Sequence, residues 1–216
     1  MKKRKSSVDT VDPKTLQVFV AACHKVAEYG LIRCSSGNLS WRIGNNRALL
    51  SASRSWLGEL DASQVAICEL NSEQCINGKT PTVETRFHLG ILKQRPEMNV
   101  VLHFQSPYAT AIACGDPQQY NYNVIIEVPV YVGEPAVIDY CMPGTEPLAQ
   151  KVIEAMRDHD MAILRNHGLV TCGRDFNDAI QKAVFFELAC QILLTGNKIQ
   201  PLGPDAIPPL RAAGKG

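Results

Sequence analysis

No stretch of this chain approaches the roughly 20 consecutive apolar residues that a bilayer-spanning helix requires, so a membrane protein is not expected. Charge of one sign is missing too: 22 Lys and Arg stand against 21 Asp and Glu, for a formal net charge of +1. Without a global basic field, neither nucleic acid nor an anionic membrane is an expected partner. The one charge run, Lys2-Lys3-Arg4-Lys5, leads into Ser6, Ser7 and Asp9 with no apolar stretch behind it. It reads as a disordered basic tail over residues 1–12 rather than a signal peptide or anchor, and a soluble, cytoplasmic protein is the expectation. Cys-x-x-Cys pairs are also absent. The eight cysteines, Cys23, Cys34, Cys68, Cys75, Cys114, Cys141, Cys172 and Cys190, are scattered, most of them among apolar neighbours. That pattern predicts reduced core thiols, not a disulfide framework or a zinc–thiolate site.

What is present is one α/β domain's worth of material: 216 residues, 45% hydrophobic, allow one substantial core. Asp12-Pro13 opens a helix, Leu16, Phe19, Val20, Cys23, Val26 and Ala27 follow at helical spacing, and Gly30 closes it. Ser35 to Trp41 is a turn running into a strand, and Ala48–Ser53 and Val65–Leu70 read as further short strands. Glu84–Gln94 reads as a helix stopped at Arg95-Pro96, Asn99–Phe104 as a buried strand, and Ser106-Pro107 as the start of a helix through Ala113. Val124–Val132 is β-rich but interrupted by Pro129, which predicts an edge or a bend. Glu146–His159 is helical, and Met161–Asn166 and Leu169–Cys172 are strands. Asp175 caps a long last helix that points Phe176, Ile180, Val184, Leu188 and Ile192 inward. From Gln200 onward four prolines and three glycines describe a flexible tail. The expected organisation is a tail over 1–12, a layered α/β domain over 13–199 and a second tail over 200–216.

The five histidines sit in different contexts. His24 and His159 read as structural or solvated. His88 lies four residues after Glu84, on the same helix face, as a packing or supporting residue rather than a ligand. His103 ends an apolar strand, where period-2 geometry puts Val101, His103 and Gln105 on one face. His167 repeats the arrangement after Ile163-Leu164-Arg165-Asn166, with Gly168 directly behind it to allow close backbone approach. A lone histidine on an apolar strand is ordinarily a hydrogen-bonded core residue. Two at strand ends, with a carboxylate at a helix start, could instead converge into a metal site with an open position.

Longer motifs sharpen this. Gly37-Asn38, Pro81-x-x-Glu84 with Arg86-Phe87-His88 behind it, Arg95-Pro96 before Val-Val-Leu-His, and Asn166-His167-Gly168-Leu169 occur in order. In these the chain resembles the class II aldolase/adducin family, and most of all its L-fuculose-1-phosphate aldolases, from about residue 14 to about residue 197. The resemblance implies a layered α/β fold with a central, mostly antiparallel sheet flanked by helices. It implies a divalent metal, Zn2+ first and Mn2+ or Co2+ as alternatives, held by His103 and His167, with the second position of the family's His-x-His pair falling on Gln105. Glu84 would be the acid–base and touch the metal. Gly37, Asn38, Ser53, Arg54 and Thr82 fall on positions that cradle substrate phosphate, and Tyr122 on a tyrosine near the substrate. A homotetramer with the site at a subunit interface is implied as well.

Several positions depart from the family pattern. Gln105 offers a neutral carbonyl oxygen where the family has imidazole. The two serines before the glutamate are Thr82 and Val83, the Thr-Gly pair is Ser53-Arg54, and the C-terminal tyrosine proton donor has no counterpart, Tyr140 being the last tyrosine. These changes fall on the phosphate pocket and the protonation step more than on the metal. The activity implied is cleavage of a ketose 1-phosphate to dihydroxyacetone phosphate and a small aldehyde. The same apparatus serves sugar-phosphate dehydratases and 4-epimerases, and the adducin branch uses the fold for binding alone.

Overall fold

Alternating faces of one sheet decide which side chains meet. The computed structural model describes residues 11–214, so nearly all of the expected basic tail lies outside the described residues. Pro13 sits at the first turn of α1 (Pro13–Glu28), where its missing N–H costs nothing. The strands are β1 (Asn38–Ile43), β2 (Arg47–Ser51), β3 (Val65–Glu69), β4 (Val100–Phe104), β5 (Ala136–Ile138), β6 (Met161–Leu164) and β7 (Gly168–Gly173). The remaining helices are α2 (Thr85–Gln94), α3 (Pro107–Ala113), α4 (Glu146–Ala155), α5 (Phe176–Thr195) and α6 (Ile207–Ala213). All seven strands form one sheet in the order β3-β2-β1-β4-β7-β6-β5. Only the β5–β6 pair is parallel. This is the mostly antiparallel, helix-flanked α/β sheet that the sequence motifs imply.

Two cores form, one on each face. Val100, Leu102 and Phe104 of β4 pack with Phe19 and Val26 of α1, Ile112 of α3 and Phe186 of α5. Val101 points the other way, into a core with Phe87 and Leu92 of α2 and Leu148 and Val152 of α4. Period-2 alternation therefore puts His103 on the α2/α4 side. At the far end of the strands, Lys182 is buried and bonds Asp160 Oδ2 at 2.8 Å and the Cys172 carbonyl at 3.0 Å. Arg95 reaches Asp160 Oδ1 at 2.6 Å. This network ties α5 and the α2–β4 turn to the sheet.

Four expectations are corrected. Val124–Val132 is not a strand: Val128–Val132 makes one π-helical turn that buries Val128, Pro129 and Val132, a helical spacing, and proline has no N–H for a strand ladder. In α5 Ile180 is buried as expected, but the rest of the buried stripe includes Ala179, Ala183, Phe186 and Cys190, while Phe176 and Val184 are only half-buried and Leu188 is exposed. Small residues on that stripe let the helix lie close on β7. Among the cysteines, Cys34 and Cys114 are exposed and Cys75 and Cys141 half-buried, so only Cys23, Cys68, Cys172 and Cys190 are core thiols; none is disulfide-bonded. The segment from Gln200 is not without structure, because α6 forms there, Leu202 N–H donates to the Asn123 carbonyl at 2.8 Å, and Arg211 lies 3.9 Å from Glu134.

Candidate metal centre

Register brings the site together. Asn38 of β1 pairs with His103 of β4, and His103 pairs with Val170 of β7. His167 occupies the tight β6–β7 turn, its N–H donating to the Leu164 carbonyl at 3.1 Å. Asn166 before it takes a left-handed φ of 56°, which asparagine tolerates better than most residues. Gly168 after it packs so tightly that a Cβ would stand 2.7 Å from the Phe104 carbonyl and 3.1 Å from His103 Cε1. Gly37 is under similar constraint, with φ +75° and room for no Cβ between Ile32 and the His103 carbonyl.

Glu84 stands just ahead of α2 and is 4% exposed. Its Oε2 lies 3.6 Å from His103 Nε2 and its Oε1 3.4 Å from His167 Nε2. The two imidazole rings are 4.8 Å apart at 61°. His103 Nδ1 bonds the Leu169 carbonyl at 2.9 Å. A carbonyl only accepts, so Nδ1 carries the proton and Nε2 presents a lone pair toward Glu84. Three electron-rich atoms thus face one another within 4.8 Å, an arrangement that calls for a cation at its centre. Tetrahedral ligands with bonds of 2.0–2.1 Å stand about 3.3 Å apart, close to the 3.4 and 3.6 Å found here. Glu84 Oε1 and His167 Nδ1 are also buried without a hydrogen-bond partner among the described residues. Two imidazoles and a carboxylate suit zinc or manganese, so the residues fit the expected divalent ion.

The electrostatics agree. Burial pushes the Glu84 carboxyl up, but His103, the Asn38 hydrogen bond, His167 and His88 outweigh it, and the group lies below the ordinary carboxylate range. Burial, with the charge of His103, drives His167 down to about 4 against the pull of Glu84, leaving a neutral ring able to bind metal at pH 7. Burial drives His88 to about 3.

The phosphate candidates gather at the same end of the sheet. Ala52 bridges Pro81, Ser53 N–H donates to the Thr80 carbonyl at 2.9 Å, and Thr82 N–H to the Ser51 carbonyl at 3.1 Å. Thr82 Oγ1 accepts from Glu84 N–H at 3.3 Å. Arg54, exposed, holds a left-handed φ of 63° where the family pattern has glycine. Asn38 is the surprise. Its side chain is engaged inside the protein, donating from Nδ2 to Glu84 Oε2 at 2.9 Å and facing His88 with Oδ1. His88 and Ser40, which complete that chain, were legible only as same-face partners of Glu84 and Asn38.

Two expected residues are not drawn into the cluster. Gln105 lies just past the end of β4, half-buried, its N–H bonded to the Leu31 carbonyl at 2.9 Å and its Cγ against Gly168. It sits beside His167, yet no polar contact joins its amide to the three donors among the described residues. Tyr122 belongs to the other face of the sheet. Its hydroxyl donates to the Pro117 carbonyl at 2.7 Å and its ring packs on Phe186 at 4.9 Å. It is a core residue here, with β4 between it and His103.

Against known proteins, the family described as the Class II Aldolase and Adducin N-terminal domain matches residues 17–194. A 3-oxo-tetronate 4-phosphate decarboxylase of Haemophilus influenzae is 31% identical over 193 residues, 87% of this chain and 91% of that protein. An L-fuculose phosphate aldolase of Methanococcus maripaludis strain C7 is 33% identical over 174 residues, 81% and 93% of the two chains. A solved L-fuculose 1-phosphate aldolase shares the fold at TM-score 0.85 and 20% identity, over 96% of this chain and 99% of that one. The convergence of Glu84, His103 and His167 at one end of this sheet, the motif order and these matches agree: the chain belongs to the class II aldolase and adducin N-terminal domain family.

Proposed function

We propose that the chain is a metal-dependent lyase that breaks the bond between the carboxylate and the α-carbon of a phosphorylated β-keto acid, with a 3-oxo-tetronate 4-phosphate as the substrate type and dihydroxyacetone phosphate and CO2 as products. The observation that carries this reading is that, among the described residues, Glu84 is the carboxylate at the buried His103–His167 pair, Tyr122 being turned into the opposite core. Losing CO2 leaves an enediolate whose carbon must receive one proton, taken ultimately from water. A single carboxylate can relay it. A divalent ion held by His103, His167 and Glu84 would supply Lewis-acid polarisation of the carbonyl and neutralise the developing negative charge. The Leu169 carbonyl fixes the His103 tautomer with its lone pair turned inward, His167 Nε2 faces Glu84 Oε1, and the packed α2/α4 core excludes water behind the site.

Retro-aldol cleavage of a ketose 1-phosphate such as L-fuculose 1-phosphate is the second reading, supported by the 33% identical relative. It passes through the same enediolate but also removes a hydroxyl proton, one proton transfer more than the decarboxylation needs. The metal-loaded protein should be assayed on both substrate types, since dihydroxyacetone phosphate is common to both. CO2 release without aldehyde supports the first reading, aldehyde release the second, and inactivity on both overturns the lyase assignment.

A further inference from the structure

Behind the three donors runs a chain of side chains that the lyase reading does not use. Ser40 Oγ lies 2.8 Å from His88 Nδ1, His88 Nε2 meets Asn38 Oδ1, and Asn38 Nδ2 lies 2.9 Å from Glu84 Oε2. Ser40 and His88 are wholly buried, and Asn38 is 8% exposed. The His88 ring is clamped flat by Phe87, centroids 4.8 Å apart at 21°.

The chemistry allows one direction along this chain. The Glu84 carboxylate can only accept, so Asn38 must present its amide nitrogen to it. That leaves Asn38 Oδ1, also an acceptor, facing His88, so Nε2 carries the imidazole proton. The neutral ring then has a bare Nδ1, and Ser40 must donate to it. Each proton points toward Glu84: Ser40 to His88, His88 to Asn38, Asn38 to Glu84. The Asn38 bond holds Oε2 beside His103, and the bound carboxylate plane then leaves Oε1, which has no hydrogen-bond partner among the described residues, facing His167.

We propose that His88 is a positioning residue, which sets the Asn38 amide and through it the plane of the Glu84 carboxylate at the metal centre. A side chain at 88 that cannot donate leaves Asn38 Oδ1 buried and unpaired. The amide then turns to satisfy it, and Glu84 loses the donor that fixes its plane. A packing role would need only the ring's shape.

The two roles separate in a pair of variants. His88→Phe keeps a flat ring and removes both nitrogens, whereas His88→Gln keeps a donor within reach of Asn38. Zn2+ affinity, read by chelator competition, should fall about 10–100-fold in His88→Phe, the usual cost of losing a group that orients a ligand, and recover most of that loss in His88→Gln. Turnover per bound metal should fall through kcat more than KM in His88→Phe and be rescued alongside. Nitrogen-15 NMR of histidine-labelled parent protein should show His88 with its proton on Nε2, and Ser40→Ala, a milder change should His88→Phe fail to fold, should admit the other tautomer. The proposal rests on the metal-centre reading, yet the two fail differently. A parent protein that binds no Zn2+ overturns the centre itself. A parent that binds Zn2+, with both His88 variants matching it, or a His88 proton found on Nδ1, overturns the positioning role.

Discussion

His103 donates from Nδ1 to the Leu169 carbonyl at 2.9 Å, and that bond turns its Nε2 toward Glu84 Oε2, 3.6 Å away. A strand-to-strand contact thus sets the tautomer of a metal-binding ring. Replacing His103 or His167 by alanine removes an imidazole that no neighbour can substitute. Each variant should lose tight divalent-metal binding, by elemental analysis after dialysis, while staying folded. Parent-like metal content in both variants would remove them from the site.

Glu84→Gln retains shape and the capacity to bond Asn38 but cannot exchange a proton. Turnover should fall roughly 10²–10⁴-fold, the span of a general acid–base group, with metal retained through His103 and His167. Measured on one preparation, turnover per bound metal near that of the parent would mean that Glu84 takes no part in the chemistry. A fall in metal content in step with turnover would make it chiefly a ligand.

Gln105 offers the site an amide oxygen at most, and imidazole binds zinc more strongly. It lies beside Gly168, next to His167, so Gln105→His should tighten zinc binding and narrow metal tolerance. Equal zinc affinities for parent and variant would mean that residue 105 does not reach the metal.

Much of this was legible in the sequence because apolar runs that end in histidine carry two signals at once. Val100–Phe104 and Met161–Leu164 are strands by composition, and each delivers its histidine to the same end of the sheet. The misreadings have physical causes. In α5 apolar residues lie on several sides, so Val184 and Leu188, following the buried Ile180, made as good a stripe as Ala183 and Phe186. The smaller set won because the helix passes so close to β7 that a Cβ on Gly173 would stand 2.4 Å from Ala179 N. Tyr122 lay on a plausible position in chain order, which does not say on which face of a sheet a side chain falls. Asn38 and Ser40 were readable as one face of β1. That their polar groups point at Glu84 through His88 depends on α2 lying across that face, a tertiary contact no local pattern announces.

Acid should weaken the metal-free fold through the histidines. His88 titrates near 6.5 when unfolded and about 3 when folded, because burial disfavours its charge. Between those values the unfolded chain binds a proton that the folded one does not, so stability falls as pH drops below about 6.5. The slope is about 1.4 kcal/mol per pH unit for one such group, hence about 2 kcal/mol between pH 6.5 and 5 for His88. His167, held at about 4, adds in the same direction. Glu84 acts at lower pH, its lowered carboxyl pKa giving stability that is lost as it protonates. Urea unfolding of the metal-free protein at pH 7, 6 and 5 should show this loss. His88→Gln, with nothing to protonate at 88, should lose less of its own stability over that interval. An identical pH dependence in parent and variant would mean that His88 takes up its proton in the folded protein and is not held neutral by burial.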